Sequence, residues 1–325
     1  MSFNVIEPGF LTTIQDTGRY GYQCFGVPVS GAMDVLALIA GNSLVGNPSN
    51  FAGLEFTLSG PRLEVLHDSL IALTGCGFAL YLDDSSLPSW TALRVNRGSV
   101  ITIEKQGFGS WGYLCVSGGI QVPLMLNSRS TYLRGRFGGL DGRSLQAGDQ
   151  LVNPNVNERA FHLASSSIQP YYRPHYEENP VLSVVPGPQY DMFTNQGRAT
   201  FLSEHYSLTM TSDRMGYRLE GMAIEHISAA DIVSDGMFAG AVQVPANGQP
   251  IVMMAEAATT GGYTKIAGLT TVSRSLLAQC QPGESQVTFN LTTPEHAQQE
   301  YRSALQALKQ PITTDEDDLL YYSSF

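Results

Sequence analysis

Leu63-Glu64-Val65-Leu66, Ile71-Ala72-Leu73-Thr74, Ala79-Leu80-Tyr81-Leu82, Val100-Ile101-Thr102-Ile103 and Tyr113-Leu114-Cys115-Val116 are five short apolar runs within one stretch, residues 63–116. Turn signals part them: Asp83-Asp84, Arg97-Gly98 and Gly118-Gly119. Each run is too short for a helix and reads as a strand. Spacing of about 8–12 residues predicts a barrel or a sandwich. With 33 Gly, 17 Pro and 15 Tyr, the chain is composed for many short strands joined by tight turns.

The pattern changes on either side. After Ser30-Gly31, the apolar positions Met33, Leu36, Ile39, Ala40 and Leu44 keep a helical period, with Ser30 as the expected cap. A second helix fits Ser273 to Gln281, ended by Pro282-Gly283. Strands are expected again from Val181 and near Ile224, Ile232, Val242 and Ile251, and Pro294 to Lys309 reads as a helical tail. From Asp315 the end is acidic and reads as loosely ordered. The boundaries expected are a first module over 1–165, a polar, proline-containing linker over 166–180, a second module over 181–293 and a tail over 294–325. A faint echo relates the halves. Gly119-Ile120-Gln121-Val122-Pro123 matches Ala241-Val242-Gln243-Val244-Pro245, and Arg97 to Ile103 resembles Pro282 to Phe289. Either an internal duplication or chance recurrence of short apolar runs explains it.

Composition narrows the class. The 325 residues suffice for two domains, and 43% hydrophobic against 14% charged content supports packed cores. A formal charge of -11 gives a nucleic-acid backbone no basic excess to bind, but leaves room for small anions held by local cations. Cys24, Cys76, Cys115 and Cys280 form no C-x-x-C pair, which argues for a reduced, cytoplasmic protein without a disulfide framework. The opening Met1-Ser2-Phe3-Asn4 has neither a basic nor an apolar leader region, and no apolar run reaches the ~18 residues of a membrane span. No membrane partner is expected.

Four polar clusters could carry chemistry. Ile251-Val252-Met253-Met254-Ala255-Glu256-Ala257-Ala258-Thr259-Thr260-Gly261-Gly262-Tyr263-Thr264-Lys265 reads as a buried strand entering a loop. The loop offers hydroxyls, a glycine pair that lets backbone approach a ligand, an aromatic ring and a cation. Gln15-Asp16-Thr17-Gly18-Arg19-Tyr20-Gly21, followed by Ser30-Gly31-Ala32-Met33-Asp34, is either a surface ion-pair turn or an amide-and-guanidinium pocket. Asn127-Ser128-Arg129-Ser130-Thr131 with Arg134-Gly135-Arg136 is either a solvated loop or a basic patch for a carboxylate or phosphate. Thr211 to Gly221 alternates Asp213, Arg214, Arg218 and Glu220, which an ion-paired turn would explain in part.

Several chemistries are absent from the sequence. Gly261 to Lys265 has the wrong spacing for a P-loop, so ATP binding by that device is not expected. Neither H-E-x-x-H nor G-x-S-x-G occurs, the six histidines are scattered, and no metal site is expected. What remains, rich in Gly, Arg, Gln and hydroxyls, suits a site that positions ligands and stabilises charge.

The chain resembles the allophanate hydrolase subunit 2 family, also known as the biotin-dependent carboxyltransferase family or the family of 5-oxoprolinase C components (KipA-like). The motifs that carry the resemblance are Thr13 to Arg19, Gly26 to Asp34, Asn42 to Asn47, Ala72 to Gly75, Gly118 to Pro123, Ser128 to Thr131, Ser212 to Arg218, Gly240 to Pro245 and the Thr259 to Lys265 segment. They span about Gly9 to Phe289. The resemblance implies a mainly β fold with a few helices, built as two cyclophilin-like β-barrel modules. It implies a subunit 1 (KipI-like) partner and three readings. The first is the C component of an ATP-dependent 5-oxoprolinase, in which a third, lactam-hydrolase subunit takes part and the complex consumes ATP. The second is a carboxyltransferase component acting on urea or a related amide, with biotin on a separate carrier. The third is a non-enzymatic antagonist that binds a KipI-like partner.

On the resemblance, Arg214, Arg218 and Lys265 are the expected catalytic or oxyanion-stabilising cations. The expected substrate-binding residues are Gln15, Asp16, Arg19, Ser30, Asp34, Arg129, Asp213, Gln243, Thr259, Thr260, Gly261, Gly262 and Tyr263, with a small amide or lactam as ligand. The family usually has Asp-x-Gln before Thr-Thr-Gly-Gly-Tyr-Pro-Lys. Here Glu256, Ala257 and Ala258 stand before the motif, and Thr264 replaces the proline. The change to Ala258 removes an amide donor and acceptor together.

Overall fold

The computed structural model describes residues 2–153 and 158–309, together with the backbone of Ile312 and Thr313. The acidic end from Asp315 lies outside the described residues.

All five runs between residues 63 and 116 are strands, and they sort into two antiparallel sheets. The first sheet runs Gln150–Leu151, Phe3–Glu7, Arg62–Val65, Val100–Lys105, Phe78–Leu82, Ser85–Leu87. The second runs Leu11–Gln15, Gly53–Thr57, Trp111–Val116, Ser69–Gly75, Leu93–Val95. The two sheets share a core that includes Phe3, Val5, Leu54, Phe56, Leu63 and Leu114.

The central strands of the second sheet are buried on both faces. Leu114 and Val116 point into that first core, while Trp111, Tyr113 and Cys115 point the other way into a second one. Likewise Ile71 and Leu73 face the first core, Leu70 and Ala72 the second. A period of two with apolar residues at both phases is the mark of a strand covered on both sides. The cover on the outer face is helix α1, Val35–Leu44, in which only Ser43 escapes full burial. Its cap is Asp34, whose carboxylate accepts from the Ala37 N–H, and not Ser30 as the sequence suggested. Ser30 instead takes a left-handed backbone, φ 56°.

In the second half, backbone pairing closes a ring. Its order is Val181–Pro186, Gln286–Leu291, Tyr206–Leu208, Gly216–Glu220, Ile251–Met253, Ala241–Val244, Thr260–Leu269, and back to Val181–Pro186 through Val184 opposite Leu269. The pairing of Val181–Pro186 with Gln286–Leu291 is parallel, the others antiparallel. Asp231–Gly236 attaches outside the ring to the start of the Thr260 strand. Three helices accompany the ring: α2 Asn195–Ser203, α3 Thr271–Gln279 and α4 Pro294–Leu308. Each is capped by a threonine (Thr194, Thr270 and Thr293) whose hydroxyl accepts a first-turn N–H. The expected class, mainly β with few helices, stands; the second module is a closed seven-strand barrel, whereas the first is two antiparallel sheets packed on a shared core.

Three local expectations change. The Ile251 to Lys265 segment leaves its strand only for residues 254–259 and is strand again from Thr260, so the glycine pair lies in a ladder and not in a loop. No strand forms at Ile224. That residue is buried singly, its N–H donating to the Gly248 carbonyl, and His226 makes one isolated bridge to Phe193. The segment 166–180 is pinned to its neighbours: Ile168 is fully buried, the Arg173 guanidinium lies over Trp90, and the Tyr176 hydroxyl donates to Asp34. Of the two echoes, the second has structural content. Val100–Lys105 and Gln286–Leu291 are both strands, reached through left-handed glycines Gly98 and Gly283.

Candidate functional site

A buried polar chain joins the two modules. The Asp34 N–H donates to the Tyr113 hydroxyl at 2.7 Å, and that hydroxyl donates to Glu55 Oε2 at 2.7 Å. Glu55 also accepts from the Met33 N–H and from Arg214. Arg214 then reaches Glu256 through Nε at 2.7 Å and the Gly31 carbonyl through Nη2 at 2.7 Å, with its guanidinium over the Trp111 ring. Burial opposes the Arg214 charge, but Glu55 and Glu256 outweigh it and raise its pKa. Burial likewise pushes the Asp34 carboxyl up, against hydrogen bonds from Gln279, Tyr176 and the Ala37 N–H. Arg214, expected to be an anion clamp, therefore has each guanidinium nitrogen engaged within the protein. Charges buried in this way need such pairing to be tolerated at all.

The Asp16 cluster resolves into neither expected alternative. Asp16 is buried and organises the 128–130 loop, accepting from the Ser128 and Ser130 hydroxyls and the Arg129 and Gly18 N–H groups. Arg19 is wholly buried against Phe137 and donates to the Ser130 carbonyl, while its Nε and Nη1 have no partner among the described residues. Gln15 donates to Thr13 and Thr131. Arg129 donates to Gln121 at 3.0 Å, whereas Arg134 and Arg136 are exposed. These residues form one well-built corner of the first module.

On the second module, Asp213 accepts from the Met215 and Gly216 N–H groups and so closes its own turn. Arg218 is exposed on its strand. Lys265 is buried and paired with Asp235 at 2.9 Å, on the strand outside the ring. The hydrogen bond from Lys265, with the Gly236 N–H, holds the Asp235 carboxyl below the usual range. Gln243 is buried with its amide against Met253. Gly261 and Tyr263 pair with Asp235 and Asp231, and a Cβ at Gly261 would meet Met237 Cε at 2.3 Å. That glycine lies in the ladder, packed against the Met237 and Gln243 side chains. Thr260 and Gly262 belong to the same strand.

A cleft of about 160 Å³ opens between the modules. From the first module it takes Thr17, Tyr20, Pro28, Val29, Ser30 and Val35; from the second, Met237, Phe238, Ala257, Ala258, Thr259 and Arg274. Of the expected ligand residues, Ser30 and Thr259 line it; Arg214, Arg218 and Lys265 do not. Arg274 on α3 was missed. Its signal in the sequence is slight, a cation in the first turn of a helix, where the dipole disfavours it. Ala257 and Ala258, the altered positions, form part of the wall.

Two β modules enclose a cleft whose lining is mainly apolar, with Ser30, Thr259 and Arg274 among its polar members. The chain belongs to the carboxyltransferase domain, subdomain A and B, family, which matches residues 25–291. It is 38% identical to the 5-oxoprolinase C component of Haemophilus influenzae over 90% of this chain and 92% of that one. It is 36% identical to the 5-oxoprolinase C component of Escherichia coli, over 86% and 88% of the two chains. The solved Kluyveromyces lactis urea amidolyase superposes with a TM-score of 0.88 at 27% identity, covering 98% of this chain but only 20% of the larger protein.

Proposed function

We propose that this chain is the C component of an ATP-dependent 5-oxoprolinase, converting 5-oxoproline to glutamate with partner subunits. The observation that carries the reading is the reciprocal match to the Haemophilus 5-oxoprolinase component, 90% of this chain on 92% of that protein. The likeness to urea amidolyase covers a fifth of that protein. On this reading the intermodule cleft holds the lactam. Ser30 and Thr259 contact it, and the Thr259 hydroxyl polarises the carbonyl as charge develops on its oxygen. Glu256 and the Gly31 carbonyl, both held by Arg214, set the position of the cleft walls that carry Ser30 and Ala257. The module boundaries at 165 and 181 follow the same scheme.

The partners on this reading are a subunit 1 (KipI-like) protein and a lactam-hydrolase subunit, working in the cytoplasm. Gly261 and Gly262 do not fit a triphosphate cradle, because they sit in a ladder with the Asp231–Gly236 strand. On this reading ATP is consumed by the complex as a whole. A second reading, carboxyl transfer to urea or a related amide from biotin on a separate carrier, draws on the full-length superposition with urea amidolyase.

The test is co-purification with the two partners and an assay of ATP hydrolysis that depends on 5-oxoproline. Thr259→Val in that complex is expected to lower kcat with a smaller effect on KM. A stable three-subunit complex that turns over no 5-oxoproline would remove the first reading. Carboxylation of urea by the chain with a biotinylated carrier would favour the second.

A further inference from the structure

We propose that the intermodule cleft is a carboxylate site, with the Arg274 guanidinium as its anchor and the Ser30 hydroxyl as its second donor. Arg274 is half-buried at the N-terminal end of α3 and lines the cleft. Among the described residues it forms no ion pair. Its one hydrogen bond is a long contact, 3.4 Å, to the Ala239 carbonyl. Burial lowers its pKa, and the groups that favour its charge are the phenols of Tyr20 and Tyr301 and the Asp34 carboxyl. Burial raises the Tyr301 pKa, so that phenol is neutral near pH 7. Asp34 already accepts from Gln279, Tyr176 and the Ala37 N–H. Arg274 thus stays charged, as arginine does in proteins, on the wall of a cavity and without an ion-pair partner among the described residues.

Ser30 gives an independent sign. It is 4% exposed, lines the same cleft, and its Oγ has no hydrogen-bond partner among the described residues. A buried hydroxyl left without a partner costs free energy unless a ligand or water completes it. Ser30 also holds φ 56°, a backbone conformation that a serine adopts at a cost and that fixes where it sits. The remaining walls set the size and class of ligand. At about 160 Å³ the cleft holds a molecule of a few water volumes, with Ala257, Ala258, Val29 and Phe238 as an apolar surround. A small carboxylate with an apolar ring edge fits, and 5-oxoproline is of that class. The inference rests on the cleft being the substrate site, not on turnover.

The experiment is calorimetric titration of the full chain, alone and with its partners, using 5-oxoproline and the neutral lactam 2-pyrrolidinone as probes. 5-oxoproline is expected to bind and 2-pyrrolidinone to bind roughly tenfold or more weakly. Arg274→Gln should lose that preference, and Arg274→Lys should keep part of it. Ser30→Gly removes the hydroxyl while suiting the left-handed backbone, so it should weaken 5-oxoproline several-fold with thermal stability equal or higher. Equal binding of the two probes, or unchanged 5-oxoproline affinity in folded Arg274→Gln and Ser30→Gly proteins, overturns the proposal. So does an absence of saturable binding to both chain and complex. The titration needs no ATP. Binding through Arg274 without turnover would leave this inference standing and remove the oxoprolinase reading, and turnover indifferent to Arg274→Gln would do the reverse.

Discussion

At the scale of single residues, Arg214 and Lys265 show how a cation in a family motif can be claimed by the protein itself. Arg214 lies between Glu55 and Glu256, all three buried. Removing it leaves two carboxylates without a counter-charge, one of them, Glu55, fully buried. Arg214→Ala is expected to cost about 3–5 kcal/mol in urea denaturation. Arg214→Met combined with Glu55→Gln and Glu256→Gln should recover much of that loss, because neutral partners no longer require the guanidinium. A triple variant as unstable as Arg214→Ala would show that the charges are not the cause. Lys265 is simpler, a buried ammonium tied to the carboxylate of Asp235. The hydrogen bond from Lys265 depresses the Asp235 pKa, so the stabilisation is present above the ordinary carboxylate value and is lost as pH falls through the depressed one. Thermal melts from neutral to acid pH should therefore show wild type above Asp235→Asn at pH 7, with the gap closing below about pH 4. A gap independent of pH would contradict the assignment.

At the scale of elements, α1 shows packing overriding propensity. Gly41 sits mid-helix, where alanine would ordinarily gain about 1 kcal/mol. A Cβ there would lie 2.7 Å from Cys115 Sγ and 3.0 Å from Thr74 Oγ1, on the sheet beneath. Gly41→Ala is therefore expected to destabilise by about 1–3 kcal/mol in chemical denaturation, and a stabilised variant would mean that helix and sheet can separate cheaply. The same helix marks the limits of what the sequence discloses. Its apolar period was legible, as were the five strands from 63 to 116, because those signals are local and repeat within a few residues. Its cap was not, since both Ser30 and Asp34 are good capping types and the backbone turns left-handed only at the former. The Gly261-Gly262 pair read as a loop because glycine signals flexibility, whereas here it leaves room for Met237 against a strand. The site was least legible. Asp34, Tyr113, Glu55 and Arg214 meet across separations of up to 159 residues between bonded partners, and Arg274 reaches the cleft from a helix in the other half. No spacing rule registers contacts of that kind.

At the scale of the whole molecule, the two modules share so much interior that they should behave as one folding unit. A single buried apolar cluster includes Leu36, Trp111 and Tyr113 from the first half with Tyr217, Val242 and Leu277 from the second. Polar contacts cross the same boundary. Trp111 Nε1 donates to the Tyr217 hydroxyl at 3.1 Å. The Gln279 side chain accepts from the Ser110 and Trp111 N–H groups and donates to Asp34 and the Trp111 carbonyl. Separating the modules would expose the outer face of a central sheet and leave buried polar groups unpaired, costs that independent domains do not carry. Both tryptophans, Trp90 and Trp111, lie in the first half, so their fluorescence reports on that half, while far-UV circular dichroism reports on both. The two probes are expected to give coincident urea transitions with one midpoint. Residues 1–165 expressed alone should be poorly soluble or bind hydrophobic dye, because α1 and the sheet face beneath it would lose the partners they have in the second module. Two resolved transitions, or a stable and soluble isolated half, would mean that the shared core contributes less than its burial implies. The cleft would then lie at a joint free to open, and not in a wall set by one cooperative fold.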